Sequence, residues 1–289
     1  MHLHITRGRK VRATARYFMN RLLPLALVAT ALLASPAAAQ TRRTTFGAQL
    51  WPEAQAEVAL DGSDYLLIAA RGQQNTDNNG FANSNRFLGF DQRRLSLGYE
   101  HFLSEHWSIG ATLPYISFNN TYALLPEVLL RHRSPVGPLT FGQRLSVERL
   151  FPGQTGAKGA TYARLRADLE KKFDLGSTVA LRPRLSYEAA THLRAFSADD
   201  NPDVEERTIQ FTSLRAEVGV RLSPAFDFTP WFAYQTQYSF GLAQTDALGN
   251  ITIPAGRVNS IAPVLGLDLR YTFLNGQDAV TRRQLPTQH

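Results

Sequence analysis

The sequence contains no cysteine, only two methionines, and no apolar run long enough to cross a membrane as a helix. Without cysteine there can be no disulfide bond, no thiolate metal ligand and no cysteine nucleophile. The longest apolar run covers residues 22–33, whereas a membrane-spanning helix needs about 20 residues. These absences exclude disulfide scaffolds and thiol enzymes, and they leave no segment that reads as a membrane helix.

The chain also lacks a basic excess that is spread along its length, although its formal net charge is +7. Residues 1–39 hold six of the 31 basic residues and no acidic residue, so residues 40–289 carry 25 basic and 24 acidic side chains. A nearly neutral remainder argues against a basic nucleic-acid-binding surface, and no nucleic-acid partner is predicted.

The N-terminal segment has the composition of an export signal. Basic residues precede the apolar run 22–33, and Ala37 and Ala39 fit the small-residue rule for signal peptidase. We predict a signal peptide over residues 1–39, cleaved before Gln40; a short N-terminal membrane anchor is the alternative. Translation could start at Met1 or at Met19, and the sequence leaves both open.

After Gln40 the dominant pattern is an alternation of apolar and polar side chains, as in ARLRADLE over residues 163–170. This period of two separates the two kinds of side chain on a strand and would mix them on a helix. Strand-like runs occur at residues 53–60, 64–72, 92–103, 106–118, 121–133, 139–149, 160–173, 178–189, 213–222, 227–241 and 264–273.

The lengths and connections of these runs favour a transmembrane β-barrel. Many runs reach 12 residues, more than the five or six of an ordinary strand and enough to cross a bilayer at a tilt. Tight turns alternate with longer polar loops, which in outer-membrane barrels lie at the periplasmic and outer ends respectively. The tight turns are 61–64, 103–105, 134–137, 174–177 and 223–226; the long loops are 73–91, 152–159, 192–206 and 242–256; the link at 119–120 is short.

Outer-membrane barrels of bacteria have an even number of strands, so a twelfth strand is expected, and Thr44–Trp51 is the best candidate. The predicted fold is an all-β, antiparallel, up-and-down transmembrane β-barrel of about 12 strands over residues 40–273, in the outer membrane. A polar tail, 274–289, follows it. A soluble lipocalin-like barrel or a β-sandwich would also alternate, but with its apolar face inside.

Aromatic side chains support the membrane interpretation, since rings next to the turns suit a membrane interface. They are Phe102, Trp107, Phe173, Phe226 and Phe228. The last strand, Leu267–Phe273, is apolar at alternate positions and ends on an aromatic residue, like the assembly signal of outer-membrane proteins. The expected partners are outer-membrane lipid and, through this strand, the barrel-assembly machinery.

If the apolar face meets lipid, the charged face lines the lumen. The predicted lumen charges are Arg144, Glu148, Arg164, Arg166, Asp168, Glu170, Arg182, Arg184, Glu188, Arg215, Glu217, Arg221, Asp268 and Arg270. Charged rings can tune permeation or bind a solute. The alternative is structural, with mutually neutralising pairs filling a narrow barrel, and the balanced signs favour it.

Opposite charges facing each other across strands predict a register for the hairpin around residues 174–178. A three-residue loop at 175–177 would pair Asp174 with Thr178. The facing pairs would then be Glu170 with Arg182, Asp168 with Arg184, and Arg164 with Glu188.

Catalytic motifs are missing: there is no G-x-S-x-G and no H-E-x-x-H. Residues 40–289 contain His101, His106, His132, His192 and His289, and none has a motif partner. Ser186 and Glu188 lie too far along their strand from His192 for a proton relay. We therefore predict no enzymatic activity, no metal and no cofactor.

An acidic segment could bind Ca²⁺, although a solvated loop is the favoured interpretation. It contains Asp199, Asp200, Asp203, Glu205 and Glu206. The Asn-rich segment 75–85 is likewise predicted to be an external loop.

Four segments together resemble a known family: LSVERLF (145–151), ARLRADLEKKF (163–173), LRPRLSYEAATH (181–192) and the run 212–238. They are similar to the outer-membrane barrels catalogued as domain of unknown function twenty-four-ninety. The matching positions are Glu148, Arg149, Arg164, Arg166, Glu188 and Arg215. The resemblance covers residues 92–240 and implies an outer-membrane barrel. It brings no activity with it, because none is established for the family.

The expected function is that of an outer-membrane β-barrel without a specified activity, structural or a narrow pore, with a charge-paired Arg/Glu/Asp lumen. Three alternatives stay open: a porin-like diffusion channel for small polar solutes, a lipid-modifying enzyme at the outer rim, and a soluble exported β-barrel that binds an apolar ligand. The sequence leaves open the solute, whether the lumen is open, and the oligomeric state.

Overall fold

The computed structural model describes residues 42–61, 64–76, 89–118, 121–176, 178–193, 207–241, 243–246 and 248–276. The predicted signal peptide, the acidic segment 199–206, most of the Asn-rich segment and most of the polar tail lie outside these residues. No helix that is long and apolar enough to span a membrane occurs in the described part of the chain.

The described residues form strands, which we number in chain order. They are β1 (Arg42–Thr45), β2 (Gln49–Ala59), β3 (Tyr65–Asn75), β4 (Gln92–Phe102), β5 (Trp107–Phe118), β6 (Thr121–Leu124), β7 (Glu127–Val136), β8 (Leu139–Pro152), β9 (Ala160–Glu170), β10 (Phe173–Asp174), β11 (Ala180–His192), β12 (Phe211–Arg221), β13 (Phe226–Gly241), β14 (Gln244–Thr245), β15 (Ile251–Ile253) and β16 (Gly256–Phe273).

The strands close into an eleven-stranded barrel. Each of the eleven positions around the barrel, here called a stave, is formed by one strand or by two consecutive strands. Neighbouring staves pair antiparallel in chain order from β2 to β16, and β16 then pairs parallel with β2, from Val264 beside Gln49 to Phe273 beside Val58. Two staves are interrupted: β6 and β7 both lie between β5 and β8, and β10 continues the line of β9 along β11. The strands β14 and β15 form a separate small hairpin. The predicted all-β barrel is confirmed.

The expected twelfth strand is not a separate stave, so the strand number of twelve is corrected to eleven. The segment 44–51 runs from β1 into β2, and both lie parallel to β16, with Thr44 beside Ser260 and Trp51 beside Gly266. The prediction rested on the even strand number of bacterial outer-membrane barrels, whose first and last strands pair antiparallel. A parallel closing pair requires an odd number.

The two ends of the barrel differ in their connections. Five short connections lie at one end, here called the turn end: 60–64, 103–106, 137–138, 175–179 and 222–225. The longer connections and the start of β1 lie at the other end, here called the loop end. The predicted alternation of short and long connections is present in the structure.

Side chains along each strand alternate between an exposed apolar face and a buried polar face. On β4, Leu95 and Leu97 are 55% and 49% exposed, whereas Glu100 is 1% exposed. A small apolar cluster of Trp231, Ala233 and Val264 lies inside the barrel. The outer face is therefore apolar and the interior mostly charged, the reverse of a soluble barrel that encloses an apolar ligand.

The charged lumen and its cavity

All fourteen predicted lumen residues project into the barrel interior. Eleven are buried, and Arg164, Glu170 and Arg221 are half-buried. The interior holds further charged residues that the sequence analysis missed. They are Glu53, Glu57, Arg71, Arg94, Glu100, Glu127, Arg131, Arg133 and Asp227. Each alternates with outward-facing side chains on its strand, so extending the period-two assignment to every strand would have found them.

The predicted register between β9 and β11 is wrong by two residues. Glu170 faces Arg184 and Glu188 faces Arg166, so the predicted facing pairs do not form. The closing hydrogen bond runs from the Leu175 N–H to the Val179 carbonyl, at 2.9 Å. The three-residue connection is therefore 176–178, with Gly176 at φ 121°, and not 175–177.

Facing charges did not determine the register because these long side chains also pair diagonally. Arg131, Arg144 and Arg166 lie opposite one another across three strands, an arrangement that facing pairs alone would disfavour. Each nevertheless reaches a carboxylate elsewhere, as Arg144 does with Glu127 at 2.5 Å. The predicted Arg164–Glu188 contact exists in this diagonal form, at 3.0 Å.

The turn-end half of the lumen is filled by ion pairs, and we call this half the ion-pair base. It contains Glu57, Glu100, Arg131, Arg133, Asp168, Glu170, Arg182, Arg184, Glu217, Arg221, Asp227, Asp268 and Arg270. Several pairs reach over an intervening strand. Arg182 on β11 contacts Asp227 on β13 at 2.8 Å, and Glu100 on β4 accepts two hydrogen bonds from Arg131 on β7, at 2.6 and 2.7 Å.

The loop-end half of the lumen contains a cavity of about 890 Å³, which we call the loop-end cavity. Its charged lining is unbalanced, with eight arginines and four glutamates. They are Arg71, Arg94, Arg144, Arg164, Arg166, Arg207, Arg215, Arg257, Glu53, Glu127, Glu148 and Glu188. Amide side chains and the rings of Trp51, Tyr162, Phe211, Trp231 and Tyr238 complete the wall.

Four of the eight arginines of the loop-end cavity pair with glutamates of the same wall, and Arg215 pairs with Glu217 and Asp268 of the ion-pair base. Arg71 contacts Glu53 at 2.5 Å, and Arg164 bridges Glu148 and Glu188. Two arginines differ. Arg94 donates a hydrogen bond to Ser96 Oγ at 3.1 Å, and the guanidinium of Arg207 lies 4.1 Å from the centre of the Tyr238 ring. Among the described residues, neither has a carboxylate within ion-pair distance.

A polar cluster lies at the turn end, where Asp64 precedes β3. Tyr99 Oη donates a hydrogen bond to Asp64 Oδ2 at 2.6 Å, His101 Nδ1 lies 2.8 Å from the same atom, and the Phe102 N–H donates to Oδ1. Partial burial opposes ionisation, but these hydrogen bonds outweigh it and hold the pKa of Asp64 below its ordinary value of 3.8.

The other described histidines lie at the turn end and in the cavity wall. The rings of His106 and His132 lie 6.3 Å apart at the turn end, and His192 lies in the cavity wall beside Tyr162. No group of three or more potential metal ligands occurs in the part of the chain that the structure describes. His289 and the acidic segment lie outside that part.

Fold and lumen together define the class of protein: a closed β-barrel with an apolar outer face and a charge-filled interior. A solved structure described as the NanC porin in a rhombohedral crystal form is similar at a TM-score of 0.37 and 10% sequence identity. The similarity covers 76% of this chain and 91% of that one. No protein-family model and no curated protein matches the chain. The resemblance to the family of unknown function therefore stays a prediction.

Proposed function

We propose that this protein is an outer-membrane β-barrel whose lumen is closed at the periplasmic turn end and forms a cavity at the outer loop end. The apolar outer face carries this proposal. Leucine, valine, isoleucine and aromatic side chains that are 37–60% exposed occur on nearly every stave. A belt of this kind is rare on monomeric soluble proteins, which seldom expose apolar patches of more than a few hundred Å².

A bilayer removes this surface from water. Each Å² of apolar surface transferred contributes about 25 cal/mol, so the favourable free energy accumulates with every strand. The backbone groups of a closed barrel are hydrogen-bonded around the whole circumference, which a membrane interior demands. Both properties support insertion into a membrane.

The ion-pair base supports a structural or narrow-pore function rather than a wide diffusion channel. The pair Arg182–Asp227 and the pair Arg270–Glu57 both link different strands across the lumen surface. A solute that passed through would have to separate such charges, and removing one partner from a buried pair costs about 3–5 kcal/mol. A barrel of this kind would hold a cavity at the outer face of the membrane and would not let large solutes pass through its lumen.

Heat-modifiability tests the membrane proposal. The protein is extracted from outer-membrane fractions and run on SDS gels with and without boiling, alongside the same sample unfolded in urea. We expect the unboiled sample to migrate differently and the protein to sediment with membranes. Recovery in the soluble periplasmic fraction, with no migration shift, would contradict the proposal.

Planar-bilayer conductance separates the narrow pore from the porin-like channel. We expect little steady current from the wild-type protein and a larger current from the double variant Arg182→Ala/Asp227→Ala, which opens the base. Arg93→Ala, on the outward face of β4, is the matched control. A large, stable wild-type conductance would favour the diffusion channel.

The proposal that the protein is not a lipid-modifying enzyme is tested by lipid analysis. Deletion should leave the phospholipid and lipid A profiles unchanged. Loss of a modified lipid, restored by the wild-type gene but not by one lacking every histidine of residues 40–289, would favour the enzyme.

A further inference from the structure

The charges of the lumen are distributed unevenly along the barrel axis. The ion-pair base contains six arginines and seven carboxylates, whereas the loop-end cavity has four more arginines than glutamates. A concave site with low-dielectric walls focuses such an excess into a local potential. The lumen as a whole has three more arginines than carboxylates, and this excess lies at the loop end, so the cavity attracts anions.

Two side chains give this potential specific contact points. Arg94 uses one of its five N–H donors on Ser96 Oγ, and the described contact of Arg207 is with the face of the Tyr238 ring. Both guanidinium groups line the cavity and keep donors available for a further acceptor. Carboxylates and phosphates match the planar donor geometry of arginine, and charge-assisted bonds are about twice as strong as neutral ones.

The remaining lining suggests the size and character of an occupant. A volume of about 890 Å³ is within the range of small-molecule sites. Amides of Gln49, Gln92 and Gln235 can bond to hydroxyl groups, and the rings of Trp51 and Trp231 offer apolar faces. An organic anion fits this wall better than a bare inorganic ion.

We propose that the loop-end cavity binds small organic anions that carry a carboxylate or a phosphate, with Arg94 and Arg207 contacting the anionic group directly. The inference deepens the proposed function, because it rests on the outward-facing cavity of the same barrel. Anionic solutes would be held at the outer face above the ion-pair base.

A ligand series that differs in charge tests the proposal on the full-length barrel folded in neutral detergent. Glucuronate and glucose 6-phosphate are the anionic probes, glucose is the neutral control and glucosamine the cationic one. Binding is followed by calorimetry and by tryptophan fluorescence, since Trp51 and Trp231 line the cavity while Trp107 lies at the turn end, 43% exposed. The variant Trp107→Phe isolates the two cavity tryptophans.

We expect glucuronate, glucose 6-phosphate or both to bind, with weakening at high salt, and glucose and glucosamine not to bind. The comparison of the two anions distinguishes carboxylate from phosphate as the preferred group. Equal binding of glucose and the anions, or binding of none of the probes to a properly folded barrel, would overturn the proposal.

Two neighbouring arginines on β4 provide a matched pair of variants. Arg94→Gln removes a cavity charge, and Arg93→Gln removes the same charge one residue away, on the exposed outer face. Arg94→Gln and Arg207→Gln should each lower the affinity for the anion by about tenfold, the effect of one charge-assisted hydrogen bond. Arg93→Gln should leave it unchanged. An equal loss in Arg93→Gln and Arg94→Gln would show a nonspecific charge effect and contradict the assignment.

Quenching of the cavity tryptophans gives a readout that needs no variant of the arginines. In the Trp107→Phe protein, the ratio of iodide quenching to caesium quenching should exceed the ratio for free N-acetyltryptophanamide, because the cavity concentrates anions. A ratio equal to or below that of the free amide would oppose the proposal. Heat-modifiability reports on the barrel and these titrations report on the cavity, so the two proposals can fail separately.

Discussion

At the scale of single residues, the pair Glu100–Arg131 shows how the buried charges depend on each other. Glu100 is 1% exposed and accepts hydrogen bonds from Arg131 and from Ser108. Glu100→Ala leaves the Arg131 guanidinium buried without its carboxylate, and we expect the free energy of unfolding to fall by about 3–5 kcal/mol. Urea unfolding of the micelle-bound barrel measures it.

Two controls sharpen this prediction. The double variant Glu100→Leu/Arg131→Leu should recover much of the loss, because no unpaired charge remains. Lys172→Ala removes an exposed ion pair with Asp174 and should change the unfolding free energy by less than about 1 kcal/mol. A loss for Lys172→Ala as large as that for Glu100→Ala would show that burial is not the cause.

Asp64, in a turn outside the strands, predicts a pH dependence. Its pKa is lowered in the folded state, so the ionised carboxylate stabilises the fold above the ordinary value of 3.8. This stabilisation is lost as the pH falls through the lowered pKa. Asp64→Asn should therefore lower the thermal midpoint at neutral pH, and its difference from wild type should shrink in strong acid.

The neighbouring Asp61 provides the control for this experiment. It lies in the same turn, and its backbone carbonyl accepts a hydrogen bond from the Asp64 N–H. Asp61→Asn, which removes no side-chain contact of Asp64, should lower the midpoint at neutral pH by much less than Asp64→Asn. A difference between wild type and Asp64→Asn that stays constant down to the lowest pH would contradict the assigned role of the carboxylate.

At the scale of elements, the last strand has one position where only glycine fits. A Cβ atom at Gly266 would overlap the ring of Trp231, and that ring donates a hydrogen bond to Asp268 at 2.9 Å. Gly266→Ala must displace the ring, and we expect a loss of about 1–3 kcal/mol in unfolding free energy together with a shift in tryptophan emission. Gly256→Ala, on the same strand with open space around it, should produce neither. Similar results for both variants would contradict this steric explanation.

Strand faces could be read from the sequence, whereas strand register could not. Parity alone assigned Asp168 and Arg184 to the interior, because a period of two separates the faces whatever the neighbour is. Register depends on the turn and on all partners within reach. The diagonal contact of Arg164 with Glu188 shows that facing pairs are an insufficient criterion.

At the scale of the whole molecule, the apolar belt predicts that the loss of stability caused by a charge on the outer face depends on the position of that charge along the barrel axis. Leu97 is at the middle of β4, and Leu222 is at the turn end; both are nearly half exposed. Leu97→Arg should destabilise the vesicle-inserted barrel by about 2–4 kcal/mol and Leu222→Arg by no more than about 1 kcal/mol. Equal and small effects of both substitutions on folding into lipid vesicles would indicate an outer face that meets water.

The sequence was sufficient for the barrel and insufficient for its closure. Strand lengths and alternating connections identified the staves, since both are local properties. The strand number depended on how Thr44–Trp51 pairs, and pairing parallel to β16 is a contact between opposite ends of the chain. Likewise, the excess of arginine in the loop-end cavity arises from side chains on many different strands, so it became visible only in three dimensions.

The parallel pairing of β1 and β2 with β16 separates the first and last strand ends of the described barrel. Arg42 lies beside Val258 and the strand continues to Phe273, so the described ends are about fifteen residues, or roughly 50 Å, apart along the strand direction. Circular permutation, which joins the old ends with a short peptide, would here need a linker as long as the barrel wall. A passenger fused before Arg42 and one fused after the last strand would lie at opposite ends of the barrel, which the proposed function places on opposite sides of the membrane.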